Sequence, residues 1–580
     1  MLESGPAPSV AYFSMEIALD AAIPTYRGGL GILAGDMLRA AADRALPLVG
    51  ISLVHRTGYF RQHLDAQGNQ TSSPDPWDPA THGLHRIELA STVEVEGRIV
   101  RLAAWQFPVQ GVDGATLPVL LLDTDLPEND ERDRHLTDQL YGGDDRYRLS
   151  QEVVLGIGGA LALRELGVAG SIGCYHLNEG HNALLVLALL EARLAETGRA
   201  TPDATDLAWI RERCVFTTHT PVPAGHDSFG LDLALEVLGA RRIELLRALD
   251  AFAGDRLNMT ALALHSARFV NGVAMRHGEV LREQMPETPV HAITNGVHAA
   301  TWIAPAFAEL FTRHLGDWRR DNLVIRQALG IPLDEIIVAH RETKAVLLDD
   351  VARRSGRRLD PAVLTIGFAR RGTGYKRADL VFSDLERLRA IARNAGRIQF
   401  VFGGKSHPRD EQGQALIRNI FAAAAALGDD VPVVYIENYD MESAALICAG
   451  VDLWLNNPVP PQEASGTSGM KAALNGVPSL SVLDGWWVEG YIDGVTGWAI
   501  SAQERRDGDS RPQAEAIYAS LESTILPAFY GAEPDYARVM RGAIAHNGSF
   551  FNTERMVQQY AIDAYALGTR ATLEAPPVRR

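Results

Sequence analysis

Of the 55 basic residues in this chain only four are lysine, Lys344, Lys376, Lys405 and Lys471; the other 51 are arginine. Such a bias singles out the spared positions as candidates for places where a guanidinium cannot substitute, with chance survival of four lysines as the other reading. A lysine is a compact ammonium that can lose its proton and attack a carbonyl. Two of the four stand in segments dense with reactive groups. Phe368-Ala-Arg-Arg-Gly-Thr-Gly-Tyr-Lys-Arg377 places Arg370, Arg371, Lys376 and Arg377 directly after an apolar strand-like run, where open parallel sheets bind ligands. In a chain of net charge −17 this cluster suits phosphate capture, with a solvated basic loop as the other reading. Gln462-Glu-Ala-Ser-Gly-Thr-Ser-Gly-Met-Lys471 follows another such run. Its small residues leave room against the backbone, and its amides open a helix that could hold an anion. Lys471 falls in that helix's first turns, where the positive end lowers an amine's pKa and readies it for an aldehyde. A glycine-rich helix start with a solvated lysine is the alternative.

Two further patterns carry chemistry. Tyr26-Arg27-Gly28-Gly29-Leu30-Gly31 lies between a strand-like segment and the helix expected over Leu33–Ala45. Its glycines admit close approach of a ligand and its amides favour an anion, although a tight turn without ligand has the same pattern. No Gly-Lys-Ser/Thr follows, so it is not a P-loop. His176 and His181 invite a metal reading, but two more convergent ligands would be needed and the spacing separates them on a helix; no metal is expected.

Short apolar runs alternating with helical stretches must position these groups. In the second half, strands are expected at Ala362–Phe368, Ile398–Phe402, Val431–Ile436, Val451–Leu455 and Ser479–Val482. Helices are expected between them at Ala378–Arg393, Gln412–Leu427 and Met441–Ala449. The alternation indicates right-handed βαβ units and a parallel sheet. The first half gives strands at Ser9–Phe13, Leu48–Leu53, Val119–Asp123, Cys174–Leu177, Cys214–Thr218 and Val290–Ile293, with helices at Leu33–Ala45, Gln151–Leu166 and Ala183–Leu194. Alternation across Gly83–Phe107 suggests an inserted hairpin. The weakest connection, Gly296–Trp302, sets the expected division: an α/β domain over 1–300, a second over 301–545, and a terminal helix and tail over 546–580 that crosses back to the first. A cleft between two such sheets is the default ligand site. Leu573–Arg580 reads as a loose tail.

Composition excludes other classes. At 580 residues, 46% hydrophobic and 22% charged, the chain is a multi-domain globular protein and not a disordered or fibrous one. Its longest apolar stretch, Ala183–Leu190, ends at Glu191, well short of a bilayer span. The start Met1–Val10 lacks the features of a secretory signal. Three distant cysteines make no disulfide framework, so a cytoplasmic setting is expected. The net charge disfavours nucleic acid and anionic membranes as partners.

Glu463–Lys471 resembles the pyridoxal-phosphate segment of the α-glucan (glycogen, starch and maltodextrin) phosphorylases, with Lys471 at the Schiff-base position. Further motifs follow in the family's order. They are Tyr12–Glu16, Gly28–Gly31, His176–His181, Thr217–Pro221, Ile293–Gly296, Arg370–Arg377, Gly403–Lys405 and Leu483–Gly485. Together they span about residues 10 to 490 and lie nearest the family's short branch.

The resemblance implies the GT-B glycosyltransferase architecture, two Rossmann-like domains facing a central cleft. It implies pyridoxal 5′-phosphate as cofactor, held by Lys471, Arg370, Thr467, Ser468, Gly29 and Lys376. It implies an α-1,4-glucan or maltooligosaccharide and inorganic phosphate as substrates, with retaining release of α-glucose 1-phosphate. Lys471, Arg371, Lys376, His219 and Glu463 would be catalytic. Glu16, Gly29, Gly31, His219, Asn295, Arg371, Tyr439, Glu463, Ser465 and Gly466 would bind substrate. A homo-oligomer is compatible with the sequence.

Three departures stand out. The family's long regulatory amino-terminal arm is missing, so control by phosphorylation or AMP is not expected. Arg27 replaces a small polar residue before the glycines, and Gly372-Thr373-Gly374 is expected to be flexible. The competing function is a nucleotide-sugar glycosyltransferase resembling glycogen synthase. There the residue eight after Glu463 would be a second glutamate, and here it is Lys471. A glucan-binding protein without catalysis is a third class.

Overall fold

The structure is a computed structural model, described for residues 7–221, 226–501, 509–531 and 534–567. The chain divides into two compact units: Met1–Tyr59, Pro74–Ile293 and Met556–Arg580 form the first, Phe60–Ser73 and Thr294–Arg555 the second. The divisions thus fall at 293/294 and 555/556, against the expected 300/301 and 545/546, and the sequence reading did not separate 60–73. The tail expected at Leu573–Arg580 lies outside the described residues.

Nine strands make one sheet in the first unit: β1 (Val10–Ser14), β2 (Leu48–Leu53), β3 (His85–Val95), β4 (Arg98–Gln110), β5 (Thr116–Asp123), β6 (Cys174–Asn178), β7 (Cys214–Thr217), β8 (Phe269–Gly272) and β9 (Val290–Ala292). Their spatial order is β9-β8-β7-β6-β1-β2-β5-β4-β3. The run from β9 to β5 is parallel, and β4 and β3 continue it as an antiparallel hairpin. Strands β1, β2, β6 and β7 are buried at every position, as continuous apolar runs of a sheet covered on both faces must be. Because β1 sits between β2 and β6, the chain order reverses there, and the carboxyl ends of β1 and β6 open a crevice.

Helix α1 covers Gly29–Asp43, four residues ahead of the expected start, so the glycine loop is the helix's own first turn. The helix expected over Gln151–Leu166 begins at Asp145, where Asp144 accepts from the amide of Tyr147. It widens into a π-turn at Val154–Gly158. A Cβ on Gly156 would lie 2.5 Å from the amide nitrogen of Leu185, so this helix passes α2 (Leu184–Thr197) in backbone contact. Within the same unit, Tyr565 and Tyr560 from the chain's end reach the sheet: Tyr565 hydroxyl meets His176 Nδ1 at 2.7 Å, and Asn271 Nδ2 donates to Tyr560 hydroxyl at 2.9 Å.

The second unit holds six parallel strands: β10 (Leu364–Ala369), β11 (Ile398–Gly403), β12 (Val433–Ile436), β13 (Leu453–Asn456), β14 (Ser479–Val482) and β15 (Gly497–Ile500). Their order, β12-β11-β10-β13-β14-β15, reverses between β10 and β13. The helix expected over Ala378–Arg393 is a 3-10 turn at Leu380–Phe382 and a helix at Leu385–Asn394, separated because Asp384 caps the second by accepting from the amide of Arg387. Helix α3 (Leu333–Ser355) is pinned to the sheet's amino edge by a buried lysine. Lys344 Nζ donates to Asp452 Oδ2 at 2.5 Å and to the Val363 carbonyl at 2.8 Å, while His340 Nε2 meets Asp452 Oδ1 at 2.9 Å. One rare lysine is therefore a structural pin.

Among the described residues no helix is long and apolar enough to cross a membrane. Cys174, Cys214 and Cys448 are buried and free.

Candidate functional site

In the second unit, the segments after β10 and β13 meet at the point where the strand order reverses. Arg370 directly follows β10 and is buried. Its guanidinium donates to Asn456 Oδ1 at the end of β13 and, at 2.6 Å, to Glu463 Oε2. Burial alone would push the Glu463 carboxyl up; Arg370 first, then Lys376 and Arg371, hold it below the usual carboxylate range. The Lys376 ammonium moves the other way, down to about 7, through burial first and repulsion from Arg370 next. Arg371 is exposed.

The expected four-cation cluster is thus sorted by geometry. Arg377 is spent on structure: with φ of 48° it donates Nε to the Asn457 carbonyl and Nη2 to the Pro458 carbonyl, each at 2.9 Å. Gly372-Thr373-Gly374, expected to be flexible, is tied down. The Gly372 amide donates to the Lys405 carbonyl at 3.0 Å, and the Lys376 amide to the Thr373 carbonyl at 3.0 Å. Lys405 itself reaches the Phe60 carbonyl at 2.9 Å.

Beside this loop, the segment from Glu463 leads into α4 (Ser468–Leu474). Asp484 Oδ2 accepts from the amide of Glu463 at 3.0 Å, and the Trp486 amide donates to the Ser465 carbonyl at 3.0 Å. Gly466 takes φ of 76°, and Ser465 Oγ is buried without a hydrogen-bond partner. Thr467 precedes the helix, and Lys471 lies within it, 6% exposed. Lys471 Nζ stands 3.7 Å from the ring centroid of Trp302. Asn475 Nδ2 donates to the Trp302 and Lys471 carbonyls, fixing the pair. Asn295 Oδ1 is also buried without a partner. Tyr439 is half-buried, with its ring 3.1 Å from where a Gly403 Cβ would stand. These features fit pyridoxal phosphate: a buried primary amine, an aromatic face against it, small residues, unused hydroxyl and amide oxygens, and adjacent cations.

In the first unit, Glu16 follows β1 and is buried. Its Oε2 accepts from the amides of Arg27 at 2.7 Å and Gly28 at 3.3 Å, and its Oε1 from the Tyr141 hydroxyl at 3.0 Å. Glu16 therefore shapes the glycine turn. A Cβ on Gly31 would stand 2.6 Å from Glu16 Oε2, so only glycine fits there, whereas one on Gly29 would meet nothing within 4 Å. The amides of Gly29 and Gly31 lie in the first turn of α1, where no intrahelical acceptor exists. Arg27 places its guanidinium 5.2 Å from the centroids of both Tyr59 and Tyr141.

His219, two residues after β7, is held at both ends. Its amide donates to Glu179 Oε2 at 2.8 Å, and its Nε2 meets Asn178 Oδ1 at 2.6 Å. Burial, followed by the neighbouring His277, His176 and His181, lowers its pKa to about 3, so the ring is neutral. His176 lies on a strand and not on the helix assumed in weighing a metal; its nitrogens meet Tyr565 hydroxyl and Thr217 Oγ1. Among the described residues no group of three or more His, Cys, Asp or Glu could hold a metal ion.

The sequence reading missed Trp302, Asn456, Asp484, Asn178 and Glu179. Asn178 and Glu179 stand inside the quoted His176–His181 motif and Asp484 inside Leu483–Gly485, so their signal was present. Trp302 lay in the stretch read as a domain joint, and nothing in its spacing points to Lys471.

Residues 239–492 match the family model described as carbohydrate phosphorylase. A maltodextrin phosphorylase of Thermococcus litoralis is 37% identical, over 96% of this chain and 70% of its own length. A glycogen phosphorylase of Mycobacterium tuberculosis is 36% identical over the same shares. One of Aquifex aeolicus is 33% identical, over 96% of this chain and 86% of its own. With its motifs in the family's order and such relatives along nearly its whole length, this chain belongs to the carbohydrate phosphorylase family.

Proposed function

We propose that the chain is an α-1,4-glucan phosphorylase that releases α-glucose 1-phosphate from non-reducing ends, with retention, using pyridoxal 5′-phosphate. The observation that carries this reading is the meeting of Arg370, Arg371 and Lys376 with Glu463–Lys471 at the reversal point of one sheet. That concentration of cations suits two phosphate groups held together against their repulsion. Lys471 would bond the cofactor, with Thr467, Ser468, Arg370 and Lys376 around its phosphate. When bound, the cofactor supplies a 5′-phosphate able to exchange a proton with the substrate phosphate.

The chain's own residues do the rest. Arg371, exposed and forked, takes substrate phosphate bidentately, and the Lys376 ammonium adds charge beside it. In the first unit, the Gly29 and Gly31 amides offer donors to a phosphate oxygen. Glu463 keeps Arg370 in place and, with Ser465, Gly466, Asn295 and Tyr439, orients sugar hydroxyls; in the first unit the neutral His219 is a further sugar-binding group. Buried and free cysteines suit a cytoplasmic setting.

The glycosyltransferase alternative has no support, since Lys471 stands where it needs a carboxylate. Incubation of a maltooligosaccharide with inorganic phosphate is expected to yield glucose 1-phosphate. Glucosyl transfer from UDP- or ADP-glucose without phosphate would overturn the proposal.

A further inference from the structure

Glu179 occupies a backbone conformation that its side chain should resist. It directly follows β6 with φ of 77° and ψ of 169°, a region essentially reserved for glycine. Such a residue persists only where its surroundings over-determine it. Here they do: its amide donates to the Thr217 carbonyl at 2.9 Å, and its own carbonyl accepts from Asn182 Nδ2 at 3.1 Å. The turned backbone sends the carboxyl across to the segment after β7. Oε2 accepts from the His219 amide at 2.8 Å and the Thr220 hydroxyl at 3.2 Å, and Oε1 from the Gly180 amide at 3.2 Å. Three donors converge on a carboxyl that is 3% exposed, an arrangement that suits a carboxylate.

The His219 ring is fixed from the neighbouring residue. Asn178 Nδ2 donates to Ser14 Oγ at 3.0 Å, so its Oδ1 faces the ring, and His219 Nε2 carries the proton shared with it. The two residues at the end of β6 thus hold the main chain and the ring of His219 separately.

We propose that Glu179 is a positioning residue for phosphorolysis, its carboxylate fixing the main chain that presents His219 to the glucan. This rests on the phosphorylase reading above. The charged and titratable groups around it are few. Asp227 faces it from the segment before Phe229, and Asp227 is itself gripped by Arg148 and lies 3.3 Å from His181 Nε2. Glu152, from the helix that carries Arg148, is held protonated by burial and by Asp227. His219 and His181 are neutral, and His226 is bonded to Thr260. Burial, with a smaller push from Asp227, raises the Glu179 carboxyl to about 7 against the pull of its three donors. As pH falls through that value the carboxylate gains a proton, an acceptor is lost, and the His219 segment loosens.

The test follows glucose 1-phosphate formation from a maltooligosaccharide at saturating phosphate, from pH 5.5 to 8.5, in wild type, Glu179→Gln and Glu179→Gly, with thermal midpoints over the same range. Substrate phosphate titrates identically in all three, so ratios isolate Glu179. The ratio of wild-type to Glu179→Gln turnover is expected to rise roughly tenfold between pH 6 and pH 8. Glu179→Gly relieves the backbone and removes only the anchor, so kcat is expected to fall more than about tenfold at every pH. The carboxyl is raised in the folded state, so its contribution to stability is present below about 4.5 and lost as pH rises through about 7. The midpoint of Glu179→Gln is therefore expected to gain on wild type across that window. Parallel profiles in an active wild type, with full kcat in Glu179→Gly, would overturn the inference. An inactive wild type would instead overturn the function proposed above.

Discussion

The carboxyl end of β1, β6 and β7 in the first unit and that of β10 and β13 in the second both lie where a parallel sheet reverses its order, yet they differ in charge. In the first, burial drives titratable groups toward neutrality: His176 and His219 titrate near 3 and His181 near 4, and Glu152 keeps its proton. In the second, Arg370, Arg371 and Lys376 crowd around the carboxylate of Glu463. An end whose histidines are neutral and whose charges are paired, such as Arg148 with Asp227, suits hydroxyl groups, and an end with an excess of cations suits phosphates. Two folds of the same class thus carry ends of different electrostatic character.

The contrast breaks hardest at Arg371. Replacing it with alanine removes one preorganised charge contact at an ionic transition state, so turnover is expected to fall about a hundredfold, or about 3 kcal/mol. Loss of an exposed loop arginine should change stability by less than ~1 kcal/mol by chemical denaturation. Near-normal phosphorolysis at low phosphate, or failure to fold, would remove the cation loop from the account.

A smaller effect is expected from Lys376, whose ammonium titrates near 7. As pH rises from 7 to 8 in the unliganded protein the cationic fraction falls about fivefold, and kcat/KM for phosphate should fall in step. Lys376→Arg keeps the charge and should flatten this alkaline limb, whatever its effect on the maximal rate. The depressed pKa also means that the unfolded chain binds the extra proton between about 7 and 10.5, so stability should rise with pH across that window. An unchanged alkaline limb in Lys376→Arg would show that the charge near Arg371 comes from elsewhere.

The smallest effect belongs to the first unit. Arg27 contacts two tyrosine faces and donates its amide to Glu16, so Arg27→Lys should weaken the glycine turn's support by two- to fivefold, about 0.5–1 kcal/mol, read as KM for phosphate. A hundredfold loss would mean that the first unit's end is as charge-dependent as the second's.

Much of the fold was legible because buried parallel strands announce themselves as apolar runs. Leu48–Leu53 and Ser479–Val482 match their expected bounds residue for residue. β8 was not found, since Phe-Val-Asn-Gly is four residues long and ends in a turn signature. Neither was β15, a four-residue strand that opens on glycine. The glycine turn was read as a loop because a helix whose first three residues are Gly-Leu-Gly has poor intrinsic propensity there, and only Glu16 and Tyr26 against Gly31 show why it is held. Site motifs were visible as residue types and spacing. What spacing could not reveal is which cation is already spent: Arg377 lies beside Lys376 in sequence but gives its guanidinium to backbone carbonyls. Long-range pairs such as Arg370 with Asn456, or Lys471 with Trp302, join segments that only the sheet order brings together.

The charged end of the second unit has its purpose only if an aldehyde cofactor sits on its buried amine. Borohydride reduction of the purified enzyme, followed by peptide mapping, tests this most directly. The account predicts a pyridoxyl group on Lys471, in a peptide containing Ser468–Leu474, with one group per chain. Active enzyme whose Lys471 emerges unlabelled, or a label on Lys376 in its place, would contradict it.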